Sequence, residues 1–220
     1  MSLHDYEKKA DQISIPTATL TTCHSNADFD ALAAMCAAAL IYGPCDVLFP
    51  GTQEANLQTF YQELKERPGA APGCTFLDDR VPDFSKYGRL VAVDTRRRSR
   101  LRHVWPLLDN PGTRIEVWDH HPETSDDVHA HACHAEICGA VTTLLIEEIQ
   151  KRNIAVTRET ATVLGLGIYS DTGSFSFSSV TQRDFAAAGW LLGRGMDINI
   201  ISEKTAFSMT KEHKIGRAHV

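Results

Sequence analysis

Four short segments of this chain carry side chains of the types that can hold divalent metals. They are His24-Ser-Asn26-Ala-Asp28-Phe-Asp30, Asp94 behind Leu90-Val-Ala-Val93, the triplet Asp119-His120-His121 behind Ile115-Glu-Val-Trp118, and Asp171 in Tyr169-Ser-Asp171-Thr-Gly173. Together they supply carboxylate oxygens and imidazole nitrogens for two adjacent ions. Oxygen-rich sets with a few imidazoles suit manganese, with magnesium or cobalt as substitutes, whereas zinc prefers more nitrogen or sulfur. Paired ions about 3.5–4 Å apart activate a water and stabilise a departing oxygen, which is the usual machinery of phosphate-ester hydrolysis. Asp28 and Asp30 can point the same way from a tight turn, so His24 and Asp28 can share one metal while Asp30 faces the other. Asp94 is then the candidate bridge.

Each motif alone has a plainer reading. Asp28 or Asp30 suits a helix N-cap. Asp94 suits a loop or cap, and Asp119-His120-His121 and Asp171 suit turns. The conjunction favours the metal reading, because unrelated caps have no reason to assemble one two-metal ligand set.

The elements that must position these groups follow from hydrophobic pattern and breakers. Strands are expected over 17–23, 46–49, 74–77, 89–93 and 114–118. Helices are expected over 30–42, 52–66, 99–108, 139–152, 157–169 and 181–192, the last with Asp184 three residues after a Thr181 cap. The stretch 67–73 is a loop, and the polar, His-rich 124–137 a hairpin or loop. Alternating short strands and helices imply an α/β fold, Rossmann-like, with a mainly parallel sheet flanked by helices. Ligands in such folds bind beyond the carboxyl ends of the strands. His24, Asp94 and Asp119 each fall at such an end.

The bulk properties narrow the class. The chain has 220 residues, is 43 % hydrophobic, and carries a net charge of −6. That supports one good core, and argues against a standalone module gripping long duplex nucleic acid, which shows a basic face. Six scattered cysteines read as free thiols of a reducing cytoplasm rather than a disulfide framework. Asp5, Glu7 and Asp11 do not fit a secretory signal, and no apolar run reaches the roughly 20 residues that span a bilayer. A cytoplasmic location without membrane contact is expected. Residues 1–15 form a lead-in, 16–205 the domain, and 206–220 a tail whose end, 215–220, lacks core patterning and suggests a truncated gene.

With these residues in view, the sequence resembles the DHH phosphoesterase family, named for the triplet present here as Asp119-His120-His121. His24-x-Asn26-x-Asp28-x-Asp30 is similar to its first motif, Asp94 to its second and Asp171-Thr-Gly173 to its fourth. The likeness runs from about residue 19 to 195 and implies an α/β phosphoesterase domain holding two manganese ions. By that resemblance His24, Asp28 and Asp94 hold one ion, and Asp30, Asp94, His120 and Asp171 the other. His121 contacts the substrate phosphate or leaving group, Asn26 shapes the first loop, and Asp119 orients His120 from behind. Asp94, Asp119 and His121 are thus the catalytic candidates. Longer runs, such as Phe49-Pro-Gly-Thr-Gln-Glu54 and Gly167-Ile-Tyr-Ser-Asp-Thr-Gly-Ser-Phe175, look like large bacterial proteins. In those, a DHH domain precedes CBS domains and a poly(A) polymerase or CCA-adding nucleotidyltransferase region. The Gly-Gly-His motif of many members is not found after Gly195.

The expected function is hydrolysis of phosphodiester or phosphomonoester bonds in nucleotides or short oligonucleotides. The alternative is a regulatory or RNA-positioning module of a tRNA nucleotidyltransferase or poly(A) polymerase, with tRNA as a partner of the longer protein. A non-catalytic nucleotide sensor is a third reading. Further candidates for substrate binding, beside Asn26 and His121, are Arg96 and Gly139. Arg96 belongs to a basic cluster with Arg97, Arg98, Arg100, Arg102 and His103, and arginine matches phosphate geometry. Gly139 opens a helix, whose N-terminus attracts phosphate. His129, His131, Cys133, His134 and Cys138 match no strong zinc spacing. Phe175 and Phe177 alternate with serines, as in a short strand packing the core; stacking on a base would require their exposure.

Overall fold

A computed structural model describes residues 17–77 and 81–205. The expected lead-in 1–15 and tail 206–220 lie outside the described residues.

Six parallel strands form one sheet: β1 (Ala18–Thr22), β2 (Cys45–Leu48), β3 (Cys74–Phe76), β4 (Tyr87–Val93), β5 (Arg114–Asp119) and β6 (Ala132–Ala135). Their order is β3-β2-β1-β4-β5-β6. The chain builds outward from β1 to β2 and β3, then returns and builds the other way through β4. The β1–β4 boundary is therefore the point where the winding reverses, and a crevice opens there at the carboxyl ends of the strands. The expected parallel α/β fold is what the chain forms.

Alternation along the strands divides the core. Val47, Val91, Val93 and Trp118 face one cluster, whereas Leu20, Leu90, Ala92, Ile115 and Val117 face another. The first cluster is covered by long helices: α1 (Phe29–Tyr42), α2 (Ala55–Lys65), α4 (Val141–Lys151), α5 (Arg158–Asp171) and α6 (Gln182–Leu192). A further helix, α7, occupies 198–205. Helix α1 is buried on nearly every side, with its alanines, Met35 and Cys36 all inaccessible. A helix apolar all round belongs inside a protein. Its alanines let α4 and α5 approach closely.

The second face is covered thinly. The helix expected over 99–108 is instead two 3-10 turns, Arg98–Arg100 and Arg102–Val104, followed by the one-turn helix α3 (Trp105–Leu108). Pro106 explains the break: it has no N–H to continue a helix from the preceding turn, but tolerates a first-turn position. Leu101, Val104 and Leu107 still seal this face. The segment 124–137 is not a hairpin either, since Ala132–Ala135 pairs in parallel with β5. The alternation of His129, His131 and Cys133 fits one face of a strand, and backbone pairing to a strand already in place decides that 132–135 forms it.

Asp171 also differs from expectation, being the last residue of α5 rather than part of a turn. The segment after it forms turns and not a strand, so Phe175 and Phe177 do not alternate across a sheet.

Candidate metal centre

Backbone first brings the motifs together. Asp94 directly follows β4, and its N–H donates to the Trp118 carbonyl of β5 at 2.9 Å. The Asp94 and Asp119 segments are thereby level. His24 sits two residues past β1, on the other side of β4. Asp94 adopts φ +58° and Asn26 φ +121°, conformations that cost roughly 1 kcal/mol or more for residues with a side chain and that concentrate at functional sites. The Asn26 side chain steadies its loop by accepting the Gln53 N–H at 3.2 Å.

Asp94 lies at the middle. Its Oδ2 is 3.0 Å from His24 Nε2, and its Oδ1 is 3.4 Å from His120 Nε2. Asp28 Oδ2 lies 3.8 Å from His24 Nε2 while its Oδ1 caps α1 through the Ala31 N–H at 2.9 Å. The cap reading of Asp28 thus holds, and its second oxygen is still free to face His24. His120 Nε2 faces Asp171 Oδ2 at 3.2 Å. Two ligand groups converge, His24–Asp28–Asp94 and Asp30–His120–Asp171, each with atoms within 4.8 Å of one another.

The residues behind this cluster fix its orientation. His120 Nδ1 lies 3.0 Å from the Cys138 carbonyl, so Nδ1 donates there and Nε2 is the ring atom turned toward the cluster. Asp119 Oδ1 accepts from His121 Nδ1 at 2.8 Å and from the backbone N–H groups of His120 and His121. Its carboxylate therefore orients the His121 ring, and the Cys138 carbonyl orients His120, a division of labour that the sequence did not suggest. A third grouping, Asp94–His120–His121, also converges, but the short bond to Asp119 occupies His121 Nδ1. Asp30 accepts the Val141 and Thr142 N–H groups at 2.7 and 3.1 Å, at the first turn of α4.

Crowding of carboxylates sets the electrostatics. Burial and the Asp94 charge push Asp30 up to about 7. Burial, then the charges of Asp30, Asp28 and Asp94, push Asp171 up to about 9. Burial disfavours the Asp94 carboxylate too, yet the His120 and His24 imidazoles outweigh it and hold the group at about 2. Burial alone would lower His120, but Asp94 and Asp30 raise it to about 10.

The donor set fits divalent cations. Asp94 Oδ1 and His120 Nε2 are buried without a hydrogen-bond partner. Such orphaned atoms are costly in a folded protein and call for a ligand. Four carboxylates beside two imidazoles are an oxygen-rich set of the kind that manganese or magnesium takes.

The remaining candidates are engaged within the fold. Arg96 pairs through Nε with Asp127 at 2.8 Å, and its Nη2 donates to the His121 carbonyl at 3.1 Å. The Gly139 N–H donates to both oxygens of Asp184, at 2.9 and 3.1 Å. His131 Nδ1 accepts the Ile115 N–H, His134 stacks on Trp118, and Cys133 is exposed; none joins a convergent ligand group among the described residues. All six cysteines are free. Sequence reasoning named Cys138, Asp184 and Arg100 but missed what they do: Cys138 acts through its carbonyl, Asp184 reaches Gly139 and Thr143 beyond its expected Thr181 cap, and only Arg96 of the basic cluster was singled out. The Arg100 carbonyl accepts the Ser25 N–H at 3.2 Å, against the first motif, and its side chain has no ion pair among the described residues. A cavity of about 480 Å³ between α2, α5 and Asp197–Ile200 lies elsewhere.

No family model matches the chain. It is 39 % identical over 191 residues to an A-adding tRNA nucleotidyltransferase of Geobacter sulfurreducens, a match covering 87 % of this chain and 21 % of that protein. A protein of the same name from Aquifex aeolicus is 40 % identical over 134 residues, covering 60 % of this chain and 15 % of that one. The chain thus spans about a fifth or less of these relatives. Among solved structures, it is similar to an exopolyphosphatase-related protein from Bacteroides fragilis, with TM-score 0.64 and 17 % identity over 91 % of this chain and 59 % of the other. It is also similar to a putative family II inorganic pyrophosphatase of Methanococcus jannaschii, with TM-score 0.59 and 18 % identity over 87 % of this chain and 60 % of the other. At that identity, the structural likeness speaks for the fold alone. Motifs brought together at the reversal point of this sheet agree with the resemblance to the DHH family read from the sequence, and the solved structures agree with its fold.

Proposed function

We propose that this chain is a two-manganese phosphoesterase domain acting on phosphate esters of nucleotides or short oligonucleotides. One observation carries the reading: Asp94 presents one oxygen to the His24 side and the other to the His120 side, at 3.0 and 3.4 Å. His24, Asp28 and Asp94 would hold one ion, and Asp30, Asp94, His120 and Asp171 the other. Bound ions would activate water and neutralise charge on the phosphate. Magnesium or cobalt are substitutes of the same class.

The chain's own residues do the rest. Asp119 accepts a hydrogen bond from the Nδ1–H of His121 and fixes its ring, which leaves a protonated Nε2 to steady the leaving oxygen. Asp119 is thus a positioning residue. Strained backbone at Asp94 and Asn26 holds the loops in place before substrate arrives, as preorganised electrostatic catalysis requires. Arg96 ties the Asp119–His121 loop to Asp127.

The test is hydrolysis of bis-p-nitrophenyl phosphate with manganese, beside Asp94→Ala. Manganese-dependent release that disappears in the variant supports the reading; wild-type turnover by Asp94→Ala removes it. A second reading draws support from the named tRNA nucleotidyltransferase relatives: a regulatory or RNA-positioning module with little hydrolysis of its own, acting on tRNA within a longer protein. It predicts manganese-dependent RNA binding without product.

A further inference from the structure

Beside the centre lies a turn that the proposed chemistry does not use. After Asp171, the residues Gly173, Ser174 and Phe175 take φ of +55°, +54° and +65°. The turn is bound internally: Ser176 and Phe177 N–H groups both donate to the Thr172 carbonyl, at 3.0 and 3.1 Å, and the Phe175 N–H to Thr172 Oγ1 at 3.1 Å. Thr172 itself is fully buried. A stiff, left-handed turn therefore begins one residue past a carboxylate of the centre.

The two phenylalanines leave it differently. Phe175 turns inward, edge-on to Tyr169 and stacked on Phe185 with centroids 4.6 Å apart. Phe177 turns outward and is 52 % exposed. Its ring rests on Gly173, where any Cβ would collide with it. One edge of the ring is thus fixed against backbone two residues from Asp171, and the rest is open. Other apolar side chains of this protein are open too, Phe185 and Ile137 among them, but the Phe177 ring is the one seated on the turn that follows Asp171, and aromatic faces beside phosphate sites accept bases because every base has a π-face.

We infer that Phe177 is a stacking platform for the nucleobase attached to the phosphate held at the Asp94–His120 centre. This deepens the proposed function and rests on it: the substrate class is base-bearing phosphate esters, in preference to pyrophosphate or polyphosphate. The contact is sequence-tolerant, and Gly173 serves it by having no side chain.

The test uses the whole chain with manganese and two short phosphorothioate oligonucleotides of equal length, one oligoadenylate and one abasic. Binding is measured by calorimetry. The wild type should prefer the oligoadenylate about tenfold, as one stacked base provides. Phe177→Ala should reduce that preference to near unity, with abasic affinity unchanged, and Phe177→Trp should restore it. Because the ring is exposed, the thermal midpoint of each variant should match the wild type. Equal affinities in the wild type, no binding of either oligonucleotide, or a base preference that survives in Phe177→Ala would each overturn the proposal. Sedimentation supplies the other outcome: a wild-type dimer that Phe177→Ala dissociates would assign the ring to a protein contact and also overturn it. Hydrolysis is scored separately, so base preference without turnover would retain the platform and reject the esterase, and the converse would do the opposite.

Discussion

At the scale of single residues, the centre works by giving each polar atom one task. Asp119 illustrates this. Its Oδ1 is shared by the His121 ring and two backbone N–H groups, and its Oδ2 accepts the Arg96 N–H at 3.0 Å. It joins none of the convergent ligand groups among the described residues. Asp119→Asn should therefore leave manganese stoichiometry unchanged in calorimetry while lowering kcat by about 10- to 100-fold, the usual cost of removing an orienting partner. Loss of metal binding in that variant would show instead that the carboxylate is a ligand. His121→Ala should give a comparable loss, and the double variant little more, because both act through one ring.

Helices set the next scale, and two of them meet the centre through small or buried polar residues. Gly167 on α5 faces α1: a Cβ there would lie 2.7 Å from Ala33 Cβ and 3.0 Å from Asp30 Oδ1. Gly167→Val should destabilise the fold by about 1–3 kcal/mol through overpacking, and weaken metal binding through the displaced Asp30. A denaturant titration with manganese calorimetry checks both; an unchanged midpoint would mean that the helices can separate freely. Asp184 ties α6 to the start of α4. It accepts from the Gly139 N–H, from Thr143 Oγ1 at 2.7 Å and from the Thr181 N–H at 2.7 Å. Burial opposes its charge, but these donors prevail and lower its pKa. A depressed carboxylate adds stability above its ordinary pKa, and that contribution is lost as pH falls through the folded value. Asp184→Ala should cost about 2–3 kcal/mol near neutrality, since it leaves buried donors unpaired. The difference from wild type should shrink below about pH 4. Urea midpoints at two pH values decide the matter.

For the whole molecule, the four carboxylates make folding and metal binding one problem. In the metal-free chain Asp30, Asp171 and His120 hold protons to about 7, 9 and 10. Folded values above the unfolded ones mean stability present at low pH and lost as pH rises through them. Asp94 runs the other way, but its contribution is lost only in strong acid. The metal-free thermal midpoint should therefore fall between about pH 6 and pH 9, and manganese should raise it more at the higher pH, because ions compete with protons for the same atoms. A metal-free midpoint that climbs with pH, or a manganese effect independent of pH, would contradict this account of the centre. Among the described residues, no helix is long and apolar enough to cross a membrane.

Much of this was legible in the order of the residues. Strand and helix periodicity, the caps at Asp28 and Thr181, and the strand ends before Asp94 and Asp119 are local properties, carried by side-chain pattern and turn chemistry over a few positions. So were the candidate ligands, since carboxylates and imidazoles show their chemistry by type. Other features depend on contacts between distant segments. β6 exists because β5 offers it unpaired backbone, and Pro106 broke a helix that the apolar spacing promised. The engagement of Arg96 by Asp127, the Cys138 carbonyl behind His120 and the open face of Phe177 were invisible, because backbone groups carry no residue signature and exposure is defined only by what else packs nearby. Residue types determined which chemistry was available; the reversal of the sheet at β1 and β4 decided which of those residues meet.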